Sequence, residues 1–340
     1  KGFYGNILYS NKYQKIIKKK GAKNSLFKHN KYFTYSIKNG RIYTDYVQNV
    51  AIIHKNYLHG DTSFQQVNHK LASPKNNSVL EKGTPRIKKK FKGSILSLVQ
   101  GASGENYFHW MIDILPKLKI FSSNYNLNNI NYLYVPELSS VMKETLNLLK
   151  IKKKIINSKN FRHIEANEII STTHPWYHKS TFASQSNNIP AWSIKWIRNK
   201  FLNHKKKFLI KKKIFLDRSD SKYSHCKLIN NDEIIKFLLK RNFSIIKCSE
   251  LNFVKQIFAF WNASEIVGVH GAAFTNIIFS KSNTKIFEIK PYGHDGLYFE
   301  KISKINNLNY KSIVSKKKYL KNKSGDTYIP IKILKNKIGY

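Results

Sequence analysis

VGVHGAAFTNIIF, residues 267–279, decides the fold. An apolar run stops at His270 and Gly271, two alanines follow, and a second apolar run carrying Asn276 starts at once. The segments around it repeat one theme. KIFLDR (213–218), FSIIKCS (243–249), EIVGVH (265–270) and TKIFEIK (284–290) read as strands. NNDEIIKFLLKRN (230–242), LNFVKQIFAFWNA (251–263) and AAFTNIIF (272–279) read as helices between them. The first of these has Asn230 or Asn231 as its cap and acids in its first turn. The second carries Val254, Ile257, Phe258 and Trp261 along one face. Strands alternating with helices predict a parallel sheet with helices on both sides.

In such sheets, ligands bind beyond the carboxyl ends of the strands. His270 and Gly271 sit at such an end, and a helix begins directly after them. The first turn of a helix offers N–H groups without intrahelical partners and a partial positive charge. Gly271, Ala272 and Ala273 have almost no side chains, so an anion, phosphate above all, can approach the backbone. His270 and Asn276 add donors, and Glu288, late in the next strand, is placed to take ribose hydroxyls. Arg218 ends the strand 213–218 at the same sheet edge, where a guanidinium can clamp a diphosphate. The plain structural alternative is a tight turn at Gly271, alanines packing a helix on a sheet, and Arg218 paired with Asp220. The chain has no GxGxxG, so a dinucleotide fingerprint is absent.

Residues 1–100 hold short alternating or apolar runs, NILYS, KYFTYSI, YVQNVAII and ILSLV, punctuated by Asn-Gly (39–40) and His-Gly-Asp (59–61). Residues 70–92, Lys-rich with Pro74 and Pro85, read as an exposed loop. A helix is expected to begin near 103–105 and run through NYFHWMIDILPKL (106–118). Its buried stripe is Phe108, Met111, Ile112, Leu115 and Leu118. NYLYVP (131–136) follows as a strand and ELSSVMKETLNLLK (137–150) as a helix. The stretch 171–190 is irregular, and IPAWSIKWIRNKFL (189–202) is helical after Pro190. The predicted domains are 1–204, strand-rich to about 100 and then α/β, and 205–340, Rossmann-like with a tail. Lysines 205–207 and 211–213 stand at the start of the second.

In the helix 106–118, His109 and Asp113 are four residues apart and share a face. A carboxylate beside an imidazole raises its pKa and fixes its tautomer. Such a pair takes a proton from a hydroxyl, or it serves as a structural pair.

The formal charge is +42, from 61 Lys+Arg against 19 Asp+Glu. Only six of those 61 cations are Arg, the preferred reader of bases and phosphates. Abundant Lys, Asn, Ile, Tyr and Phe track A/T-rich codons, so a nucleic-acid partner is not expected. The charge still attracts anionic lipid surfaces, sugar nucleotides and acidic polysaccharides. Two cysteines, Cys226 and Cys248, make neither a CxxC pair nor a zinc spacing. HPWYH (174–178) resembles a metal pair, but Pro175 breaks the helix that would align it. No DxD occurs, the motif that commonly holds a nucleotide diphosphate through a divalent ion.

Together these segments resemble glycosyltransferase family 61. Its members show N-[YF]-F-H-W-x-x-D-x-L-P-[KR]-L, matched by NYFHWMIDILPKL. They then show a strand ending in Arg, an Asn-Glu pair opening a helix, and a Gln in the next helix. A [VI]-G-x-H-G-A-x-x-T-N segment follows, and then a strand with Glu followed by Pro. Here those read IFLDR (214–218), NNDE (230–233), FVKQIF (253–258), VGVHGAAFTN (267–276) and FEIKP (287–291). Order and spacing agree over roughly 100–292. Two departures stand out. Lys227 occupies a region where the family carries Arg, and the Asn-Glu pair is split, as Asn231-Asp232-Glu233. Lysine lacks the planar fork of arginine.

The resemblance implies an α/β, GT-B-like architecture of two Rossmann-like domains facing a cleft. It implies inverting, metal-independent transfer of a hexosyl or pentosyl unit from a nucleoside diphosphate sugar, a UDP-sugar favoured, with no cofactor. The acceptor is a glycan or glycolipid, in surface polysaccharide (capsule) biosynthesis. His109 and Asp113 would be catalytic. Arg218, Lys227, Glu233, His270, Gly271, Ala272, Asn276 and Glu288 would bind the donor. The expected location is the cytoplasm, with peripheral association at an anionic membrane, or the secretory lumen if a signal precedes this chain. The alternative reading is a non-catalytic basic protein that binds anionic polymer.

Overall fold

The structure is a computed structural model of the 340-residue chain. It describes all residues except 1–2, 16, 23–31, 68–69, 101–104, 178–185, 221–225, 318–324 and 340. Two compact units divide the chain, Lys1–Ser193 and Ile194–Tyr340.

The first unit is mixed α/β. Its strands are β1 (Lys18–Gly21), β2 (Phe33–Thr44), β3 (Asn49–His54), β4 (Tyr57–Leu58), β5 (Phe64–Val67), β6 (Lys70–Leu71), β7 (Lys89–Ser97), β8 (Tyr132–Val135), β9 (Lys154–Asn157) and β10 (His163–Thr172). The sheet order is β6-β5-β3-β2-β10-β7-β8-β9, with β1 on β2 and β4 on β3. One half is antiparallel, and within it β2 and β3 join through a tight turn. At the β2–β3 turn, Asp45 Oδ1 accepts from the amides of Val47, Gln48 and Asn49 at 3.1, 2.8 and 2.8 Å. The other half, β10-β7-β8-β9, is parallel. Helix-bearing segments link β7 to β8 and β8 to β9, the second link carrying the helix Ser140–Leu148. The first unit is therefore not the fully parallel sheet of a Rossmann-like half.

Other differences from the sequence reading are local. Asn39-Gly40 is no turn but lies inside β2, where Asn39 has φ 49° and the pairing with β10 skips Asn39. A Cβ on Gly40 would come within 2.9 Å of Ile169 Cγ1, so the side chain of Ile169 already fills the space a larger residue would need. Within 70–92, expected as a loop, a short helix Ser78–Lys82 buries Val79, and β7 begins at Lys89. The irregular stretch 171–190 contains the end of β10.

The second unit holds a sheet of five parallel strands: β11 (Lys213–Leu216), β12 (Phe243–Ile246), β13 (Glu265–Val269), β14 (Lys285–Lys290) and β15 (Asn309–Val314). Their order is β12-β11-β13-β14-β15. The fifth strand and the helix Tyr298–Ile305 before it extend the alternation beyond the four strands expected. One face packs Phe215, Val267, Val269, Phe287 and Ile289 against Ile234 and Leu238 of the helix Asn231–Leu239 and Leu334 of the helix Ile331–Ile338. The other face meets the buried side of the helix Phe253–Asn262, through Phe253, Ile257 and Phe260, and Phe274 of the next turn. The chain leaves β11 to one side for β12 and returns on the other side at β13. The topological switch point therefore lies between β11 and β13, which is where such sheets open a crevice.

Candidate functional site

The first centre lies on one helical run. Asn106 caps it, its Oδ1 accepting from the Phe108 amide at 2.8 Å. The run passes from Tyr107–His109 through a π-helical turn, Trp110–Ile114, into Leu115–Ser122. The Leu115 amide bonds to Trp110 O, five residues back. Pro116 explains the irregularity: it has no N–H, and its ring crowds the carbonyl four residues earlier. Single π turns inside helices recur at functional sites. Here the turn carries Asp113.

Nδ1 of His109 lies 2.6 Å from Asp113 Oδ2. Gln100 Nε2 donates to the same oxygen at 2.6 Å, and Tyr177 Oη lies 3.3 Å from it. Trp176 Nε1 donates to Oδ1 at 2.7 Å. An indole N–H and an amide NH2 can only donate, so Asp113 is the acceptor on both oxygens, and the shared proton belongs to His109 Nδ1. The Asp113 side chain has no exposure, while that of His109 keeps 12%. Gln100 follows β7, and Trp176 and Tyr177 follow β10. These strands pair in parallel up to Ser97↔Ser171, so their carboxyl ends deliver all three side chains to one place. His174 stacks on Tyr177 with ring centroids 3.5 Å apart, and its Nε2 is 3.9 Å from Asp113 Oδ2. Lys117, one further turn along the helix, is wholly buried and bonds to Val99 O at 3.2 Å. Burial pulls its ammonium down to about 7, with the Asp113 charge opposing.

The second centre lies at the switch point. Arg218 stands two residues beyond β11, and His270 one residue beyond β13; the two strands pair in parallel up to Leu216↔Gly268. The Arg218 guanidinium donates to His270 O. It also covers Gly271 so closely that a Cβ there would lie 2.5 Å from Arg218 Cζ. Glycine is needed at 271 for this approach rather than for its backbone angle, which is extended. Burial lowers the Arg218 pKa, and Cys226 and Asp220 oppose the shift. Ala272 and Ala273 open a 3-10 helix, Ala272–Phe279.

His270 Nδ1 lies 2.5 Å from Glu288 Oε1, and Tyr310 donates to Glu288 Oε2. Glu288 is 1% exposed. Burial alone would raise its pKa; the bonds from His270 and Tyr310 and the charges of His270 and Lys290 outweigh it, and the carboxyl falls below its usual value. Glu288 is thus spent on orienting His270 and is not presented for ribose hydroxyls. Asn276 also turns inward: it is wholly buried, and its amide donates to Gln256 Oε1 at 2.9 Å. Gln256 in turn bonds to Cys248 O and Leu251 O at 2.8 and 2.9 Å, tying the helix Phe253–Asn262 to the loop before it.

Glu233 is exposed on the first turn of its helix and accepts from Asn230 Nδ2 at 2.8 Å. Lys227 is exposed beside Cys226, which contacts Arg218. His294 packs against His270 with ring centroids 3.8 Å apart, and burial followed by the His270 charge pulls its pKa to about 4.

Each centre is therefore a histidine whose Nδ1 faces a buried carboxylate at the carboxyl edge of parallel strands. The sequence paired His109 with Asp113 but missed Gln100, Trp176, Tyr177 and Lys117. It missed the pairing of His270 with Glu288 and the supports Tyr310 and His294. A lysine inside the apolar run MIDILPKL and the dense aromatic pair at 176–177 were the available signals. His178, the second histidine of the possible metal pair, lies outside the described residues. Among those described, no group of three or more His, Cys, Asp or Glu is placed to hold a metal.

No curated protein matches the chain. The family model for Glycosyltransferase 61 matches residues 107–287, just over half of the 340. That span starts on the helix bearing His109, takes in Arg218 and His270, and ends inside β14; the chain belongs to glycosyltransferase family 61.

Proposed function

We propose that the chain moves a sugar from a nucleoside diphosphate sugar, a UDP-sugar first, to a hydroxyl of a glycan or glycolipid acceptor, with inversion and without a metal. The observation that carries this is the convergence of Arg218 and His270-Gly271 at the switch point between β11 and β13. That is the position where a doubly wound sheet accepts a nucleotide. The guanidinium, the amides of Ala272 and Ala273 and the imidazole of His270 would neutralise the departing diphosphate, as a divalent ion does in other transferases. Lys227 adds a point charge nearby, and Glu233 accepts from the Asn230 side chain at the start of its helix.

Inversion needs one in-line displacement. His109 Nδ1 faces Asp113, so Nε2 is the nitrogen that takes the acceptor proton. The acceptor oxygen then bonds to the anomeric carbon as the bond to the diphosphate breaks, and the electron pair leaves with the phosphate. Asp113 holds the imidazole in the required tautomer and stabilises its positive charge. A GT-B arrangement, with the first unit presenting acceptor and the second holding donor, is part of this proposal. So are the setting in surface polysaccharide synthesis and the cytoplasmic compartment.

A panel of UDP-, GDP- and CMP-sugars with EDTA present, read by nucleotide release with and without glycan acceptors, tests it. Acceptor-dependent release of a nucleoside diphosphate is the expected result. Binding of RNA or acidic glycan with a steep salt dependence, and no release from any donor, would favour the basic-scaffold alternative.

A further inference from the structure

Neither centre uses the stretch KKKFLIKKK (205–213). It runs as a loop from the turn Leu202–His204 into β11. The loop is pinned. The Lys206 amide donates to Val254 O at 3.1 Å, and the Ser264 amide to Lys212 O at 2.7 Å. Phe208 packs on Phe258 with ring centroids 5.8 Å apart. Between these anchors Leu209 stands out at 101% exposure.

A single exposed leucine is ordinary. Leu209, however, is held at the apex of a fixed loop between two lysine triplets. Half-buried Trp261 lies on the helix that anchors this loop, with Lys205 and Lys281 at 4.8 and 3.9 Å from its ring. Neither 205–213 nor 251–264 contains an acidic residue. An apolar tip, an amphipathic indole and a cluster of lysines together match the boundary of an anionic bilayer, where cations meet phosphates and apolar groups pass below them.

We propose that the 205–213 loop docks this unit on an anionic lipid surface, with Leu209 entering the headgroup–acyl boundary and the flanking lysines contacting lipid phosphates. The loop joins β11 at its amino end, whereas Arg218 and His270 follow the carboxyl ends of β11 and β13. Docking therefore uses the end of the sheet opposite the anion cradle, which stays turned toward water and a dissolved nucleotide. No helix among the described residues is long and apolar enough to cross a membrane, so the contact is peripheral.

Co-sedimentation of the full chain with phosphatidylcholine vesicles, with and without about 30% phosphatidylglycerol, tests the docking. Binding is expected only with the anionic lipid. Leu209→Ser should weaken it about tenfold. Lys206→Gln with Lys207→Gln should weaken it about fivefold per lysine. Lys335→Gln with Lys337→Gln, exposed on the helix Ile331–Ile338, should have a clearly smaller effect. The proposal is overturned if anionic vesicles do not bind the wild type. It is also overturned if Leu209→Ser binds as wild type, or if both lysine pairs weaken binding equally, since that is the pattern of general polyanion attraction, RNA and acidic glycan included. The readout needs no sugar transfer, so its outcome is separate from that of the proposed reaction.

Discussion

His109 Nδ1 sits 2.6 Å from Asp113 Oδ2, with the carboxylate fully buried and an edge of the imidazole exposed. The two groups are therefore divided: part of the ring stays open to solvent, and only protein groups reach the carboxylate. His109→Ala should lower kcat by about 10²–10⁴ while the melting temperature stays close to wild type. Asp113→Asn should lower both. Its new NH2 meets Trp176 Nε1 on one side or Gln100 Nε2 on the other, N–H groups that cannot accept, and a buried unmatched donor costs about 1–3 kcal/mol. Turnover and thermal unfolding of the two variants, measured side by side, check the division. Wild-type turnover in both would remove the base from this helix.

Gly271→Ala places a methyl group 2.5 Å from Arg218 Cζ. The side chain rather than the backbone is in the way, so the guanidinium moves and the fold survives. Nucleoside diphosphate affinity should fall about tenfold or more, as expected when a charge-assisted bond is lost. Unfolding free energy should change by less than about 1 kcal/mol. Calorimetric titration and urea unfolding separate the two effects.

Lys117 titrates near 7 in the folded chain because burial disfavours its charge. An unfolded lysine keeps its proton to about 10.4. Between these values the unfolded chain binds the extra proton, so stability rises with pH across the window, and below it the full cost is present. Lys117→Met keeps most of the stem and removes the ammonium. Unfolding free energy measured from about pH 6 to 9 should then rise less steeply than in wild type.

Glu288 has the opposite sign. Its folded pKa lies below the ordinary value, so it contributes stability above the unfolded pKa, and this is lost as pH falls through the folded one. Glu288→Gln should flatten the acid limb of the stability curve and weaken nucleotide binding by releasing His270. Tyr310→Phe should preserve the charge, cost about 1.5–3 kcal/mol, and reduce the acid limb less than Glu288→Gln does, because Tyr310 is the smallest of the causes that lower the carboxyl. Acid unfolding curves of the two variants distinguish charge from hydrogen bond.

Much of the second unit was legible from the sequence. Its strands are short apolar runs and its helices have one clear apolar face, so β11, β12, β13 and β14 were placed within a few residues. The fifth strand was less visible, because β15 alternates exposed and half-buried residues at a sheet edge. In the first unit, β10 passed unnoticed: charged and polar residues interrupt HIEANEIIST, and its partners β2 and β7 are distant in sequence. Asn39-Gly40 carried a turn signal that tertiary packing overrode: Asn39 takes the left-handed conformation, yet pairing with β10 resumes on either side of it and keeps β2 continuous.

The local chain sufficed for the spacing of His109 and Asp113 and for the placing of His270-Gly271 between strand and helix, because both follow from periodicity over a few residues. It could not show that Gln100 and Trp176 reach Asp113, or that Glu288 turns to His270 instead of to a ligand. Those outcomes depend on which strands become neighbours and on how deeply each carboxylate is buried. Strand register joins residues far apart in sequence, and burial then forces every polar atom caught there to find a partner.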